Sequence, residues 1–405
     1  MDYKATTTWM FSRLPMYQQQ GAAAYKKDLN RTELFASYLG HPENKFKSIH
    51  IGGTNGKGST AHMLAAVLQQ GGYKVGLYTS PHLKNFRERI RINGTKISEA
   101  SVVEFIEENK HFLEQHDLSF FEMTVGLAFD YFAKSKVDIG IVEVGLGGRL
   151  DSTNIITPEL SVITNIGYDH TQFLGETLQK IAAEKAGIIK SNRAVVIGES
   201  QSELKDVFVE KAKSLKADIY FADKEINQSL SCSLLGDYQK KNIKTVLQSL
   251  AVLKAKGFTI SEIHIKKGLE NVQKLTGLRG RWEMLSETPK TICDTAHNRE
   301  ALILVFNQLK KESFASLHIV IGMVNDKNLD NLLDVFPKQA QYYFCKPNIP
   351  RGMDAELLAQ KFYSNGIKGK AYSSVKIAFQ AAKKHASNDD LIFIGGSTFV
   401  VAEVL

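Results

Sequence analysis

A glycine-rich segment in the first quarter of the chain has the residue types of a phosphate-binding loop. The stretch "SIHIGGTNGKGSTAHMLAAVLQQGG", residues 48–72, places Lys57 between two glycines and just ahead of Ser59 and Thr60. Glycines let the backbone approach a phosphate closely, and backbone N–H groups at a helix start attract its charge. The lysine and hydroxyls can contact terminal phosphates or a metal. The segment predicts a triphosphate site, the alternative being a tight turn with a solvated lysine.

The spacing differs from the common G-x-x-x-x-G-K-[ST] loop. Ile51 stands where the first glycine should be, and Gly58 intervenes between the lysine and the hydroxyl. A nucleotide enzyme of another class is therefore indicated.

Four polar residues follow apolar strands, or lie on the elements to which those strands lead. They are Ser80, Glu143, His170 and Lys185. Ligands gather at the carboxyl ends of strands in an open parallel sheet, and phosphoryl transfer needs cations to neutralise charge. Together they predict a metal-assisted site. Singly, a histidine after a strand is usually structural and a helical lysine usually solvated.

Short apolar runs alternate with helical patterns along the chain. "FKSIHIG", "YKVGLYTS", "VDIGIVEV" and "LSVITNI" predict strands, and "RERIRINGTKIS" predicts a hairpin around Asn93-Gly94. Helices are predicted from Ser59 to Gly72, after a cap at Ser98, and from Glu122 to Lys134. This order predicts an N-terminal P-loop domain of the α/β class, with a mostly parallel sheet covered by helices.

The second half repeats this style over about 115 residues. "TICDT", "LHIVIGMV", "QYYFCKP" and "LIFIGG" predict strands, with "REALILVFNQLKK" and "MDAELLAQKFYSNG" as helices. The polar segment 285–291 is the expected boundary. It separates an ATP-binding domain at 1–286 from a smaller Rossmann-like α/β domain at 291–405.

Composition narrows the function classes. The 405 residues carry a net charge of +8, but no run of five or more Lys or Arg occurs, which favours small anionic substrates over nucleic acid. No apolar run reaches the ~20 residues that span a bilayer. The N-terminal segment lacks a secretory core, and three dispersed cysteines predict a reducing, cytoplasmic location.

An ordered set of motifs resembles the folylpolyglutamate synthase/dihydrofolate synthase family of the Mur ligase superfamily over nearly the whole chain. The set comprises "GTNGKGS", "TSPHL", "RERIRING", "VEVGLGGRLDSTN", "ITNIGYDHTQFLG", "IAAEKAGIIK", "GLRGRWE" and "DTAHN". The resemblance implies an ATP- and Mg²⁺-dependent ligase that joins L-glutamate to dihydropteroate, to the glutamate tail of reduced folates, or to both. An acyl phosphate would form, and ADP and phosphate would be released.

The resemblance also implies roles for particular residues. Catalytic groups match Lys57, Glu143, His170 and Lys185; metal ligands match Ser80, Glu143 and His170, with two Mg²⁺ sites and a carbamylated Lys185. ATP contacts match Thr54, Asn55, Gly56, Lys57, Gly58, Ser59, Asn242, Arg281 and Asp294. Pterin or folate contacts match Ser119, Phe120, Phe121, Glu122, Leu150, Asp151 and Ser152, and glutamate contacts match Asp294 and His297. A monomer without nucleic-acid or membrane partners is implied.

Two positions depart from the family's pattern. Tyr238 stands where histidine is frequent, and Arg279 where proline often precedes the Gly-Arg pair. Both departures lie in the region from which nucleotide contacts are expected, and they weaken the match to the family there. Asn242 could instead be a helix-surface residue.

Three rival functions remain. A P-loop NTPase without ligase activity would explain the loop and Glu143, but not "DTAHN", "GLRGRWE" or "EKAGI". A cell-wall precursor ligase needs a substantial domain ahead of the loop, where only about 50 residues stand. Dinucleotide binding at "VGLGGRLDSTN" lacks G-x-G-x-x-G spacing.

Overall fold

The computed structural model describes residues 1–15, 28–325 and 329–405. Contacts divide the chain into two units, the first comprising Met1–Ser233 with Lys240–Gly277 and the second Leu234–Gln239 with Leu278–Leu405. The contact boundary thus lies ahead of the polar segment 285–291, whose residues belong to a hairpin of the second unit.

The first unit is built on an eight-stranded sheet. Its strands are β1 (Lys47–Gly52), β2 (Val75–Tyr78), β3 (Ile90–Ile92), β4 (Thr95–Lys96), β5 (Ile139–Glu143), β6 (Leu160–Ile163), β7 (Ala194–Ile197) and β8 (Ile219–Phe221). They lie in the order β4-β3-β2-β5-β1-β6-β7-β8. All pairs from β2 to β8 are parallel, so these strands end at one edge of the sheet.

Helices accompany this sheet. They are α1 (Tyr3–Arg13), α2 (Asn30–Tyr38), α3 (Lys57–Gln70), α4 (Glu99–Gln115), α5 (Phe120–Lys134), α6 (Thr171–Leu174), α7 (Leu178–Ala186), α8 (Lys205–Ser214), α9 (Ala222–Glu225), α10 (Gln239–Ala255), α11 (Glu262–Glu270) and α12 (Val272–Thr276). Short 3₁₀ helices cover Pro42–Asn44, Phe86–Arg89, Ser152–Ile155 and Ser202–Leu204.

Both faces of the central strands are buried, which explains their continuous apolar runs. On one face, Ile141 of β5 is fully buried. On the other face, the strands pack into two apolar clusters. One cluster joins Val142 of β5 to Phe105 of α4 and Phe129 of α5. Another joins Val195 of β7 to Ile181 of α7. No helix among the described residues is long and apolar enough to span a membrane.

The hairpin and helix-cap predictions are confirmed. β3 and β4 pair antiparallel around Asn93 and Gly94, which both have positive φ angles of 45° and 77°, as a two-residue hairpin turn requires. Ser98 accepts a hydrogen bond from the Ser101 N–H and so caps α4.

The second unit is a smaller α/β domain on a six-stranded sheet. Its strands are β9 (Glu283–Glu287), β10 (Lys290–Cys293), β11 (Leu317–Ile321), β12 (Gln341–Cys345), β13 (Gly369–Tyr372) and β14 (Leu391–Gly395), in the order β13-β12-β11-β14-β10-β9. Its helices are α13 (Arg299–Leu309), α14 (Ala355–Tyr363), α15 (Val375–His385) and α16 (Thr398–Val404), with 3₁₀ turns at Leu329–Asn331 and Leu333–Val335.

Both faces of this sheet are covered. β14 contributes Phe393 to a cluster with Phe306 of α13 and Phe362 of α14, whereas the neighbouring Ile392 packs with Ala378 of α15 on the other side. Only β9, at the edge, is antiparallel. The predicted α/β fold class is therefore confirmed for both halves.

Candidate active site

The phosphate loop lies where the sequence placed it, between β1 and α3 at the carboxyl edge of the first sheet. Gly53 and Gly56 have φ angles of 131° and 87°, a region that other residues rarely adopt. A Cβ on Gly53 would lie 1.9 Å from Oγ1 of Thr164, so only glycine fits there. The loop is therefore closely packed against the segment after β6.

The residues after β6 support the loop by hydrogen bonds. The N–H groups of Thr54 and Asn55 donate to the carbonyl oxygen and to Oδ1 of Asn165, both at 2.9 Å. Thr164 Oγ1 donates to the Asn55 carbonyl at 2.6 Å. These two loop amides are used within the protein, whereas the N–H groups at the start of α3 lack intrahelical partners by geometry, as in an anion-binding helix start.

Two lysine ammonium groups meet on one carbonyl oxygen of this loop. Lys57 Nζ donates to the Gly53 carbonyl at 3.1 Å and to the Thr54 carbonyl at 3.2 Å. Lys185 Nζ, on α7, donates to the same Gly53 oxygen at 3.0 Å. Burial, reinforced by the charge of Lys57, lowers the pKa of Lys185 to about 7. The Lys185 amine is therefore partly neutral near neutral pH.

Glu143 and Ser80 lie side by side at the same edge. Glu143 is the last residue of β5 and is 5% exposed. Ser80 lies two residues after the end of β2. Its N–H donates a hydrogen bond to Glu143 Oε2 at 3.2 Å. β5 lies between β1 and β2 in the sheet, so the carboxylate is adjacent to the phosphate loop.

His170 belongs to the segment that holds the loop. Gly167 N–H donates to Thr54 Oγ1 at 2.9 Å, and His170 follows three residues later at the start of α6. It has a positive φ of 51°, and its Nε2 lies 3.9 Å from Oδ2 of Asp169. Asp169 in turn raises the pKa of Lys185, opposing burial.

The described residues contain no group of three or more His, Cys, Asp or Glu side chains arranged to hold a metal ion. The structure thus joins Ser80 to Glu143 but does not gather Glu143 and His170 with another such residue. A site with few protein ligands still suits Mg²⁺, because this ion keeps several waters and is completed by substrate phosphates.

Asn242 lies against the phosphate loop rather than on an exposed helix surface. It is on α10 and is 7% exposed. A Cβ on Gly56 would lie 2.3 Å from its Oδ1. The side chain therefore packs directly over the last glycine of the loop.

The segment 119–122 is the start of α5. Ser119 N–H donates to Glu122 Oε2 at 2.7 Å and Glu122 N–H donates to Ser119 Oγ at 3.2 Å, which is a capping box. Phe120 is buried in the core, whereas Phe121 is only partly buried. A Cβ on Gly145 would lie 2.4 Å from Phe121 Cζ, so Phe121 packs against the segment after β5.

Asp151 organises the segment after β5. Its Oδ2 accepts from the Leu146 N–H at 2.8 Å, and its Oδ1 accepts from the Thr153 N–H at 3.1 Å and from the Thr153 hydroxyl. Burial raises the pKa of this carboxyl, and the hydrogen bonds oppose that shift. Its neighbour Leu150 is half-buried, and its other neighbour, Ser152, is 9% exposed.

The residues expected in the second unit also lie together. Asp294 accepts from the Tyr238 hydroxyl at 2.6 Å, from the Trp282 N–H at 2.7 Å and from the Ala296 N–H at 2.8 Å. Burial raises its pKa, and the Tyr238 hydrogen bond opposes that shift. Asp294 therefore connects Tyr238 to the backbone at Trp282 and at Ala296.

Two further side chains of this unit converge on Thr295. Arg281 Nη1 donates to the Thr295 hydroxyl, and His297 Nδ1 lies 3.0 Å from the Thr295 carbonyl. Arg281, Asp294 and His297 thus surround one short loop after β10.

Sequence reasoning missed several residues that shape the site. Thr164 and Asn165 brace the phosphate loop, and Glu199 accepts from Asn165 Nδ2 at 2.9 Å. The signal was present, because hydroxyl and amide side chains follow β6 directly in "ITNIG". Arg89 was also missed: it is 3% exposed and its Nε donates to His82 Nδ1 at 2.8 Å.

These two units match known families. Residues 51–267 match the Mur ligase middle domain, and residues 280–398 match the Mur ligase glutamate ligase domain. The chain is therefore a Mur ligase, an ATP-dependent enzyme that joins a carboxylic acid to an amino acid.

Two named relatives indicate the family to which the chain belongs among the Mur ligases. The chain is 33% identical to a dihydrofolate synthase/folylpolyglutamate synthase of Escherichia coli, covering 93% of this chain and 90% of that one. It is 31% identical to a probable bifunctional folylpolyglutamate synthase/dihydropteroate synthase of Haloferax volcanii, over 100% of this chain but only 50% of that protein. The chain therefore belongs to the folylpolyglutamate synthase/dihydrofolate synthase family.

Solved structures agree. E. coli FolC in complex with DHPP and ADP superposes with a TM-score of 0.88 at 29% identity, covering 100% of this chain and 97% of that one. A bifunctional folylpolyglutamate synthase/dihydrofolate synthase with Mn, AMPPNP and L-glutamate bound gives a TM-score of 0.85 at 29% identity, covering 100% and 97%.

Proposed function

We propose that this ligase joins L-glutamate both to dihydropteroate and to the glutamate tail of reduced folates. The acceptor carboxylate attacks the γ-phosphorus of ATP to give an acyl phosphate and ADP. The amine of glutamate then attacks the acyl carbon, and phosphate leaves. One observation carries the proposal: residues after β1, β2, β5 and β6 meet at one sheet edge, with Lys57 and Lys185 on the Gly53 carbonyl.

The phosphate loop and Lys57 receive the triphosphate. The start of α3 presents N–H groups and a partial positive charge, while Gly56 and Gly58 keep side-chain bulk away. Lys57 is held by two carbonyls, and its charge would stabilise the negative charge that develops on the transferred phosphoryl group. Thr54 and Asn55 act mainly by fixing the loop to Asn165, and Ser59 adds a hydroxyl.

Ser80, Glu143 and His170 are the residues that would hold divalent metal ions. Glu143 is a carboxylate buried at a strand end beside the Ser80 N–H, and carboxylate oxygens are the ligands that hard cations such as Mg²⁺ prefer. Bound magnesium would neutralise phosphate charge and polarise the phosphoryl oxygens. Ser80 and Glu143 lie nearest the nucleotide side, whereas His170 lies with Asp169 and Lys185 and suits a second ion near the acceptor carboxylate.

Lys185 is the proposed site of carbamylation. A neutral amine is needed for attack on CO₂, and the lowered pKa of Lys185 supplies it near neutral pH. The Nζ lone pair forms a bond to the carbon of CO₂, and one N–H proton is lost to solvent, which leaves an anionic carbamate. That anion would face Lys57 and the second metal, whereas an ammonium there repels both.

The remaining residues bind the other substrates. Phe121 with Leu150 and Ser152 offers the partly open face for the pterin, while Ser119, Phe120, Glu122 and Asp151 shape that face from within. Asn242 lies beside the loop and suits the nucleotide. Arg281 and Asp294 would contact its adenosine part, and Asp294 and His297 the incoming glutamate.

A product assay tests this proposal. The chain is supplied with ATP, Mg²⁺ and glutamate together with dihydropteroate in one reaction and tetrahydrofolate in another. Both acceptors should gain glutamate, and phosphate release should require glutamate and an acceptor. Hydrolysis of ATP at the same rate without either substrate would instead favour a P-loop NTPase without ligase activity.

A cytoplasmic monomer completes the proposal. Cys293 and Cys345 are buried free thiols, which suits a reducing compartment. Sedimentation equilibrium at micromolar concentration would give the mass of one 45.1 kDa chain, and a mass of twice that value would refute the monomer.

A further inference from the structure

A buried histidine lies behind the segment proposed to receive the pterin. His50 is in the middle of β1 and is 0% exposed. Its Nε2 lies 2.8 Å from Oγ1 of Thr153, a residue that is also 0% exposed. Thr153 in turn bonds to Asp151. The mechanism above uses neither His50 nor Thr153.

The direction of this chain of hydrogen bonds follows from the number of protons. The Thr153 hydroxyl donates its single proton to Asp151 Oδ1. Thr153 Oγ1 must then accept from His50, which places a proton on Nε2. The other ring nitrogen, Nδ1, is buried and has no hydrogen-bond partner among the described residues, as suits a bare acceptor better than an N–H group.

His50 is neutral under ordinary conditions. Burial, with a smaller contribution from the charge of Lys190, lowers its pKa to about 3. One tautomer can therefore persist across the working range of pH.

Asp151 transmits this arrangement to the acceptor site. Its carboxylate holds Leu146 and Thr153, and so closes the segment 145–153 into one shape. Phe121 packs against Gly145 at the beginning of that segment.

We propose that His50 is a positioning residue for the acceptor: by donating to Thr153 it orients the hydroxyl that holds Asp151, and Asp151 holds residues 145–153 in the shape that receives the pterin. The proposal rests on the proposed function, because it takes residues 119–122 and 150–152 as the pterin site. His50 itself touches no substrate.

Substitutions at His50 separate a donor from a space-filling role. The glutamine amide nitrogen reaches about as far as Nε2, whereas the asparagine amide nitrogen reaches only about as far as Nδ1. His50→Gln should therefore keep the KM for dihydropteroate within about twofold of the wild type. His50→Asn and His50→Leu should raise it about tenfold, the effect expected for one buried hydrogen bond. The KM values for ATP and glutamate should not change.

Thr153 provides a matched pair at the next link. Thr153→Ser keeps the hydroxyl and should retain the acceptor KM, whereas Thr153→Val keeps the volume and should raise it as His50→Asn does. If His50→Gln and His50→Asn raise the KM equally, or if neither raises it, the donor role is wrong.

Two further measurements keep the outcome interpretable. Phe121→Ala removes a side chain of the proposed pterin face. If its KM for dihydropteroate is unchanged, the pterin site itself is refuted. If that KM is raised but the KM of His50→Asn equals that of the wild type, only the positioning role is refuted. In the wild type, ¹⁵N NMR of the histidine rings should show the Nε2–H tautomer for His50 at neutral pH. An Nδ1–H tautomer would overturn the proposal whether or not the variants fold.

Discussion

Replacing Gly56 with alanine should damage the enzyme far more than the same replacement at Gly72. The two glycines have nearly equal φ angles of +87° and +86°, so an alanine would be forced into an unfavourable positive φ at both positions. That strain is about 1–2 kcal/mol. At Gly72 nothing lies within 4 Å of the added Cβ, whereas at Gly56 it would lie 2.3 Å from Asn242 Oδ1 and 3.1 Å from its Cγ.

The difference between the two variants therefore measures the close packing of the loop. Asn242 must move by about 1 Å to reach ordinary contact, and overpacking of this kind costs about 1–3 kcal/mol. We expect the free energy of unfolding to fall by about 1–2 kcal/mol in Gly72→Ala and by about 2–5 kcal/mol in Gly56→Ala. A displacement of 1 Å beside the reacting groups can lower turnover about a hundredfold, so kcat/KM for ATP should fall strongly only in Gly56→Ala.

Chemical denaturation and steady-state kinetics at varied ATP measure both quantities. The double variant Gly56→Ala/Asn242→Ala serves as the internal test, because removal of the Asn242 amide relieves the clash. Its loss of stability should be smaller than the sum of the two single losses by about 1–3 kcal/mol. Equal losses in Gly56→Ala and Gly72→Ala, or strict additivity in the double variant, would refute the packing argument.

Three further outcomes are expected. Lys57→Ala should lower kcat about a hundredfold or more, as loss of one preorganised electrostatic contact does, and steady-state turnover within a few-fold of the wild type would contradict the assignment of the loop. With ¹³C-labelled bicarbonate, the wild type should show a carbamate carbon resonance that Lys185→Arg lacks, and its presence in both would place the carbamate elsewhere. Because the pKa of His50 is about 3 when folded and about 6.5 when unfolded, the unfolded chain binds an extra proton between these values, so stability falls as pH falls through this range. In His50→Gln, the free energy of unfolding should therefore fall less steeply with decreasing pH, by up to about 1.4 kcal/mol per pH unit. A dependence on pH equal to that of the wild type would mean that His50 is not buried in neutral form.

The strands of the first sheet were predictable where both faces are buried. "SIHIG", "DIGIVE" and "LSVI" are predicted as strands without alternation because both faces of these strands are buried. β9 (Glu283–Glu287) was instead read as part of a polar linker. It is an antiparallel edge strand whose residues are partly exposed, so it has no apolar signature, and its pairing with β10 depends on tertiary context.

The expected edge of the site was also predictable, but individual contacts were not. Polar residues after parallel strands must share an edge, and Ser80 and Glu143 do. The use of Asn165 as the partner of two loop amides could not be foreseen, because it depends on how the segments after β1 and β6 bend. Ser119 and Glu122 show a related difficulty, because two roles are open to them. The family resemblance implies that they contact the pterin, whereas the S-x-x-E spacing is that of a capping box. The two side chains do bond to each other's backbone, as a capping box requires.

Lys57 and Lys185 meet on one buried carbonyl oxygen of the loop. Two ammonium groups on one buried carbonyl repel each other, so the arrangement is favourable only if one of them loses its charge or becomes an anion. Lowering the pKa of Lys185 achieves the first, and carbamylation would achieve the second while adding a charge that a divalent ion can use. Lys57 is the less buried of the two lysines. The loop and α7 are therefore electrostatically coupled, because burial first and the charge of Lys57 second lower the pKa of the Lys185 amine.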